Sequence, residues 1–498
     1  MPGLRAPHLG ARALAGLTAD LLIVGGGIAG LCAALEAPAD ARIVVLDKGE
    51  AAAGSSPLAQ GGMAAAVGPG DSPELHASDT IAAGAGLCEV DVVDDICSQG
   101  PDAVAWLEGI GVRFDRGPDG SLDAAREGAQ SVARSVHSLD ATGAELVRAL
   151  RHAVAGRPIT RIRSRATALL WAEGRVVGAV ADGQPYHASA TLVATGGAGG
   201  LWGATTNAQG ATADGAVLGM LVGAQLADLE LMQFHPTALA HGGPTTRILL
   251  TEALRGDGAK LRNRAGDRFV DELGPRSEVS RAILEEGSVW LDCRDVPALA
   301  ERYPNVVAEV RSRGFDMLTE PVPVEPAAHY FIGGISADAH GRSSLPGLFA
   351  AGEAASTGFH GANRMAGNSL LEAVVVGGRV GRQVVSATSS HAGDGREPAA
   401  QMGEPSRAIT EILSRSAGIV RNAELIAEGL ARLDELVRRH GPDPHAELAG
   451  MILRACDARS ESRGVHQRSD APGTDAGMAM RSFDVLGERA RERLAART

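Results

Sequence analysis

The chain predicts an α/β fold: a discontinuous Rossmann-like nucleotide-binding domain, an inserted α+β domain and a C-terminal helical domain. Three observations carry that expectation. A glycine-rich turn, Gly25-Gly26-Gly27-Ile28-Ala29-Gly30, joins an apolar run to an Ala-rich one near the N-terminus. Two further apolar runs, far downstream, also stop at glycines. Beyond residue 422, apolar residues recur at helical spacing.

Taken in order, residues 1–19 read as a flexible extension. It carries Arg5 and Arg12 but no apolar stretch long enough for a secretory signal or a membrane span. Residues 21–24 are a buried strand, the glycines a tight turn, and residues 28–37 a helix. Residues 42–46 form a second strand ending at Asp47, which closes a βαβ unit of roughly thirty residues with an acid. Residues 191–194 run into Thr195-Gly196-Gly197, and residues 345–350 run into Gly352-Glu353. Both read as later strands that stop where backbone must approach a ligand. The polar and charged stretch 229–330 lies between them and is read as an insertion. It splits the nucleotide-binding domain into residues 20–228 and 331–400. A run of Ser, Gly, Asp and Pro follows Arg382 to about residue 405. Residues 422–440 and 445–458 then read as helices of a C-terminal domain spanning 401–498.

With 498 residues, the chain is too long for one simple core, so two or three domains are expected. Aromatic residues at 3% and a net charge of −13 argue against nucleic acid as a partner. The same charge repels an acidic substrate, so any anion site needs local Arg and His. The five cysteines (Cys32, Cys88, Cys97, Cys293, Cys456) form no CxxC pair, which argues against a metal site and fits reduced thiols in a cytoplasm.

Gly25, Gly27 and Gly30 permit the tight turn, close pyrophosphate approach and helix–strand packing of a dinucleotide site. The helix N-terminus offers free N–H groups to the phosphates, and Asp47 an acceptor for the ribose hydroxyls. Ser55-Ser56-Pro57-Leu58-Ala59-Gln60-Gly61-Gly62 is small and polar enough to lie against an isoalloxazine ring, and Gly352-Glu353 suits a ribityl contact. FAD is favoured over NAD.

A second group of residues suggests an anion site. Phe359-His360-Gly361-Ala362-Asn363-Arg364 continues into Met365-Ala366-Gly367-Asn368-Ser369-Leu370, a segment too rich in Gly, Ala and Asn for a simple surface helix. A dicarboxylate needs two anion clamps, which Arg and His supply through charge-assisted hydrogen bonds. His235 precedes Pro236, which favours extended backbone. His329 stands in an apolar setting where a satisfied core histidine is the default. Glu252 and Arg255 are spaced i, i+3, and spacing alone makes them a surface ion pair. Arg276 starts a helix over 277–286 and reads equally well as a solvated residue.

Together the motifs VGGGIAG, LAQGGMAA, TIAAGAGLC, ATGGAGG, QFHPTAL, LLTEALRGDGA, PVEPAAHYFIGG, HGANRMAGNSLLE and ESRGVH resemble the L-aspartate oxidase family. That family lies within the succinate dehydrogenase/fumarate reductase flavoprotein superfamily, and the motifs span nearly the whole chain in its order. The resemblance implies FAD-dependent oxidation of L-aspartate to iminoaspartate. The acceptor would be O2, giving H2O2, or fumarate. This is the first step toward quinolinate and NAD, with hand-off to quinolinate synthase. It implies Arg276 as catalytic acid or base, with Glu252 and Arg255 as its proton relay. Glu127, His235, Thr251, His329 and Arg364 would bind the substrate. FAD would contact Gly25, Gly27, Ile28, Ala29, Gly30, Asp47 and Lys48, then Ser55, Ser56, Ala59, Gln60, Gly61 and Gly62. Further on it would meet Thr195, Gly196, Gly197, Asp214, Glu353, Asn368, Ser369 and Leu370.

Three features favour the oxidase branch. No histidine occurs between His8 and His76, whereas covalent succinate dehydrogenases resemble one another in a flavin-linking histidine where Ser55 stands. The FAD is therefore expected to be non-covalent. Glu127 matches the acid that aspartate oxidases place near the substrate amine. HPTA and NRMAGNSLLE look like the oxidase versions of those motifs. One departure is Gln130, where the oxidase pattern often has histidine. Another is Asp47-Lys48, where relatives often have a small hydroxyl residue before the lysine. The alternative reading is a fumarate reductase or succinate dehydrogenase flavoprotein subunit that docks to an iron–sulfur partner.

Overall fold

Residues 18–49, 54–240, 246–384, 401–487, 491 and 494 are described by a computed structural model of the chain. The expected βαβ unit is present, as strand Thr18–Val24, helix Ile28–Glu36 and strand Ile43–Asp47. Thr18 and Ala19 already belong to the strand; the rest of the expected extension lies outside the described residues.

The main sheet runs in the order Ile159–Arg163, Ile43–Asp47, Thr18–Val24, Gln184–Val193, Arg175–Ala181, Ala166–Ala172, with Leu348–Ala350 also paired to Gln184–Val193. Its register decides where a ligand can sit. Val24 is level with Leu46 and with Val193, and Val193 with Ala350, all in parallel pairs. The strands read from sequence therefore end together, and the residues that follow this level (Gly25, Asp47, Ala194, Ala351) share one edge. That is the edge where open parallel sheets bind nucleotides. Helix Asn368–Gln383 closes over helix Ile28–Glu36. A Cβ on Gly377 would come within 2.4 Å of the Ala29 carbonyl oxygen, so glycine lets the two backbones touch.

Between these strands, the stretch expected as an insertion holds an antiparallel sheet ordered Met232–Leu239, Val322–Phe331, Val289–Asp292, Lys260–Arg262. Helix Arg276–Glu286 packs on it. Leu239, Leu254, Leu261, Val279, Ile283, Leu291 and Val306 form an apolar cluster separate from those of the nucleotide-binding body. A carboxylate from that body reaches into this region. Asp140 is 2% exposed and accepts the Val306 N–H at 2.8 Å and the Asn305 side-chain amide at 2.7 Å. It thereby caps helix Pro304–Ser312, whose own N-cap Tyr303 makes no side-chain cap bond. Replacing Asp140 by alanine is expected to cost about 1–2 kcal/mol, seen as a lower thermal midpoint; an unchanged midpoint would refute the tie.

Helices Arg407–Ser416, Ala423–His440 and Pro444–Ala458 match the expected helical C-terminus, but the chain beyond them does not stay helical. Phe483–Asp484 pairs antiparallel with Leu226–Ala227. Buried charges bind this return: Arg459 Nε donates to Glu230 at 2.6 Å, and Arg481 pairs with Asp228 at 2.8 Å. The cysteines are free thiols, buried except for half-buried Cys88. Among the described residues no helix is long and apolar enough to cross a membrane.

Candidate active site

A cavity of about 780 Å³ runs from the shared strand edge to the inserted sheet. At the strand-edge end, Gly25 has φ +113°, and a Cβ there would lie 2.2 Å from the Ala194 carbonyl oxygen. The turn is closed to any other residue, and it brings the N-terminus of helix Ile28–Glu36 to the cavity wall. The N-cap Gly27 has no side chain to cap that helix, so the wall there presents backbone N–H groups suited to phosphate. Farther along, Gln60, Ser164 and Thr195 add polar side chains to the residues that line the cavity. A long cavity with backbone N–H groups at one helix N-terminus and polar residues along its wall suits an elongated ligand with phosphates and hydroxyl or carbonyl groups, so the wall fits FAD.

Not every expected cofactor contact has the expected job. Gly25, Gly27, Ile28, Ala29, Asp47, Lys48 and the 55–62 loop line the cavity, with Thr195, Gly196, Asp214, Glu353, Ser369 and Leu370. Asp214 is engaged by protein: it pairs with Lys48 at 2.7 Å and Arg165 at 3.0 Å. Burial raises its carboxyl pKa, but the two cations outweigh burial and hold it below the ordinary value. Asp214 therefore fixes two cations at the cavity. Gly30, Gly197 and Asn368 do not line the wall. Gly30 gives room to the Gly25 carbonyl, and Gly197 to the Glu353 side chain. Asn368 turns away to donate to Thr80 at 3.0 Å and meet His76 at 2.8 Å.

At the inserted-sheet end the cavity collects Glu127, His235, Thr251, Glu252, Arg276, His329 and Arg364. Arg276 is buried at the start of its helix, and its Nε donates to Glu252 Oε2 at 2.6 Å while Nη1 donates to Gln233 Oε1 at 2.9 Å. The expected surface pair of Glu252 and Arg255 is corrected on two counts. Both are buried, at 5% and 2% exposure, and Arg255 stands behind Glu252 at 3.6 Å, off the cavity wall. Arg276, expected equally as a solvated residue, is the closer partner because the inserted sheet folds its helix back onto Glu252. Arg364 donates to Ser369 Oγ at 2.6 Å and lies over the Tyr330 ring, 5.3 Å from its centre. His329 is no core histidine: it lines the cavity, bonded to the Thr206 hydroxyl at 2.8 Å, with the His235 ring 5.1 Å away.

The electrostatics follow from burial among arginines. Burial, then Arg276, depresses both His235 and His329 well below the usual imidazole range, so both rings are neutral donors or acceptors. His235 Nδ1 accepts the Thr237 N–H at 3.2 Å, which leaves the ring proton on Nε2. Burial raises Glu252, but Arg276 and Arg255 win and hold it at about 2. Glu127 goes the other way: burial and then the Glu252 charge raise it. Its Oε1 accepts the Gly62 N–H at 3.1 Å. Arg364 falls to about 10, through burial and then Arg276. The result is a cationic pocket in which Glu127, beside the two histidines and Arg364, accepts no arginine hydrogen bond among the described residues.

Sequence reasoning left Gln233, Tyr330 and Thr206 without roles. Gln233 was visible within QFHPTAL, and Tyr330 as one of only three tyrosines in the chain. Thr206 left no signal, because its partner lies 123 residues away.

A family model described as FAD binding domain matches residues 20–370. The L-aspartate oxidase of Mycobacterium leprae is 42% identical over 92% of this chain and 93% of its own. That of Streptomyces coelicolor is 39% identical over 92% of this chain and 90% of its own. The chain belongs to the L-aspartate oxidase family. It is an FAD-dependent oxidoreductase of that family, and it shares its fold with more distant relatives. Among solved structures, E. coli quinol fumarate reductase FrdA superposes with a TM-score of 0.87 at 30% identity, covering 95% of both chains.

Membership in the L-aspartate oxidase family gives the glycine turn a direct test. Gly25→Ala is expected to purify without flavin, because a methyl group there overlaps the Ala194 carbonyl and forces a left-handed backbone on alanine. A yellow Gly25→Ala protein with wild-type flavin content would contradict this assignment of the turn.

Proposed function

We propose that this enzyme oxidises L-aspartate to iminoaspartate. Non-covalent FAD, when bound, supplies the two-electron acceptor. O2, giving H2O2, or fumarate takes the electrons onward. The observation that carries the reading is Glu127: a buried carboxylate that shares the inserted-sheet end of the cavity with Arg276, Arg364, His235 and His329 and pairs with neither of these arginines. A plain dicarboxylate has no use for it, whereas an α-ammonium group does.

In this reading Arg364 clamps one carboxylate of the substrate, oriented by Ser369 and supported by the Tyr330 ring. His235, His329 and Thr251 hold the other as neutral donors. Arg276 moves a proton at the substrate carbon when fumarate is the acceptor, and Glu252 and Arg255 resupply it. An arginine normally stays protonated, so that role depends on the buried, cation-rich setting around it. The inserted region closes the cavity and keeps water out. The product is the precursor of quinolinate, which places the reaction first in de novo NAD synthesis, in the cytoplasm, with quinolinate synthase as the next enzyme.

Titration of the anaerobic yellow protein tests the reading: L-aspartate is expected to bleach the flavin without any partner subunit. Bleaching by succinate and not by aspartate would instead make the chain a dehydrogenase or fumarate reductase flavoprotein subunit.

A further inference from the structure

The turn that carries Glu127 is strained and is held from several sides. Ala129 sits at φ +67°, in the left-handed region that a Cβ disfavours; within the turn the Gln130 N–H meets the Glu127 carbonyl at 3.2 Å, and Arg126 Nε donates to the Gln130 carbonyl at 2.8 Å. Such a conformation persists where its surroundings over-determine it. One side chain ties this turn to two neighbouring segments of the pocket. Gln130 is 3% exposed. Its Oε1 accepts the Glu127 N–H at 2.9 Å, and its Nε2 donates to Ser135 Oγ at 2.9 Å and the Ala366 carbonyl at 3.3 Å.

Those three partners belong to the segments that shape the polar end of the cavity. Ser135 lies in a short strand paired with Met63–Ala64, directly after Gly62, whose N–H binds the Glu127 carboxylate. Ala366 follows Arg364 by two residues. Gln130 thus fixes the carboxylate on one side of the pocket relative to the guanidinium on the other.

We propose that Gln130 is a positioning residue that sets the reach of Glu127 toward a substrate ammonium, and with it the preference for an amino dicarboxylate over a plain one. The inference rests on the reading of Glu127 given under Proposed function. The chemistry requires one acceptor and one donor on opposite sides of a terminal group at the end of a side chain of this length. Methionine fills the same space with neither. Histidine supplies both, one from each ring nitrogen.

The test compares kcat/KM for aspartate with the dissociation constant of succinate, read from flavin absorbance, in the holoenzyme. Gln130→Met is expected to lower kcat/KM for aspartate about 10-fold, mostly through KM, and to change succinate binding by less than about 3-fold. Ser135→Ala, a milder change that keeps the fold if the methionine variant does not, is expected to shift the same ratio in the same direction by about 3-fold. Gln130→His is expected to restore most of it. In a Glu127→Gln background, Gln130→Met should add less than about 2-fold, since a residue acting through Glu127 has nothing left to position. Equal losses for both ligands, or a full additional loss in the Glu127→Gln background, would overturn the proposal in favour of a merely structural glutamine. Wild-type enzyme without a preference for aspartate overturns the functional reading and this inference together. A wild-type preference kept intact by Gln130→Met and Ser135→Ala overturns this inference alone.

Discussion

Replacing Arg276 by glutamine is expected to lower aspartate-dependent turnover with fumarate about 10³-fold while the flavin stays bound. Arg276 lines the inserted-sheet end of the cavity, away from the Gly25 turn, so loss of flavin together with activity would point to a folding defect instead. Stability should also change, in a pH-dependent way. In the wild-type protein Arg276 and Arg255 overcome burial and hold Glu252 at about 2. A carboxyl depressed by folding contributes stability that is present above its unfolded value and lost only as pH falls toward that number. Without Arg276 the carboxyl keeps Arg255 but loses its strongest opposing charge and a hydrogen bond, so its pKa rises from that number. The penalty then appears as pH rises through the ordinary carboxylate range. Breaking a buried pair costs about 3–5 kcal/mol. The thermal midpoint of Arg276→Gln should therefore lag the wild type more at pH 7 than at pH 3. Arg276→Lys keeps the charge but cannot reach Glu252 and Gln233 at once in the arginine's planar geometry, so it should recover stability more than turnover. A deficit equal at both pH values would refute the account of Glu252.

Much of this site was legible because the sequence pattern that builds it is local. The strand–glycine–helix order at residues 21–37 and the acid at Asp47 are short-range signals, and the sheet register places them as expected. The helix beginning at Arg276 was legible from Pro275, whose fixed φ suits a helix entry. What could not be read was which distant groups meet. Glu252 and Arg255 share a helical face, so spacing favoured their pairing, yet Arg276 binds Glu252 at 2.6 Å from 24 residues away. Burial was equally invisible: an i, i+3 ion pair looks the same in sequence whether solvated or enclosed. The strand at Phe483–Asp484 was missed for the same reason. Its two residues carry no periodicity, and it is held by Arg481, Asp228 and Glu230, whose meeting is a property of the folded chain. Asp214 shows the limit of carrying roles over by motif. It does line the cavity, but its oxygens are committed to Lys48, Arg165 and Thr212.

Glu127→Gln is the change that separates an amino-acid oxidase from a dicarboxylate dehydrogenase. The substitution keeps size and the Gly62 N–H acceptor but removes a carboxylate on the substrate side that accepts no arginine hydrogen bond among the described residues. Hydrogen bonds to charged partners contribute about 1.5–3 kcal/mol, so aspartate should lose roughly 10- to 100-fold in kcat/KM. Succinate, with no ammonium, should bind as well as before or better, because a carboxylate near its own charges has been neutralised. The pH profile adds an independent check. Burial and the neighbouring Glu252 raise the Glu127 carboxyl above its ordinary value, so it is protonated at acidic pH and charged as pH rises. The wild-type kcat/KM for aspartate should therefore climb through that ionisation, and the glutamine variant should lack the climbing limb. Equal losses for aspartate and succinate, or a variant that keeps the limb, would remove Glu127 from substrate recognition. The pocket would then be left as a plain dicarboxylate site built from Arg276, Arg364 and two neutral histidines.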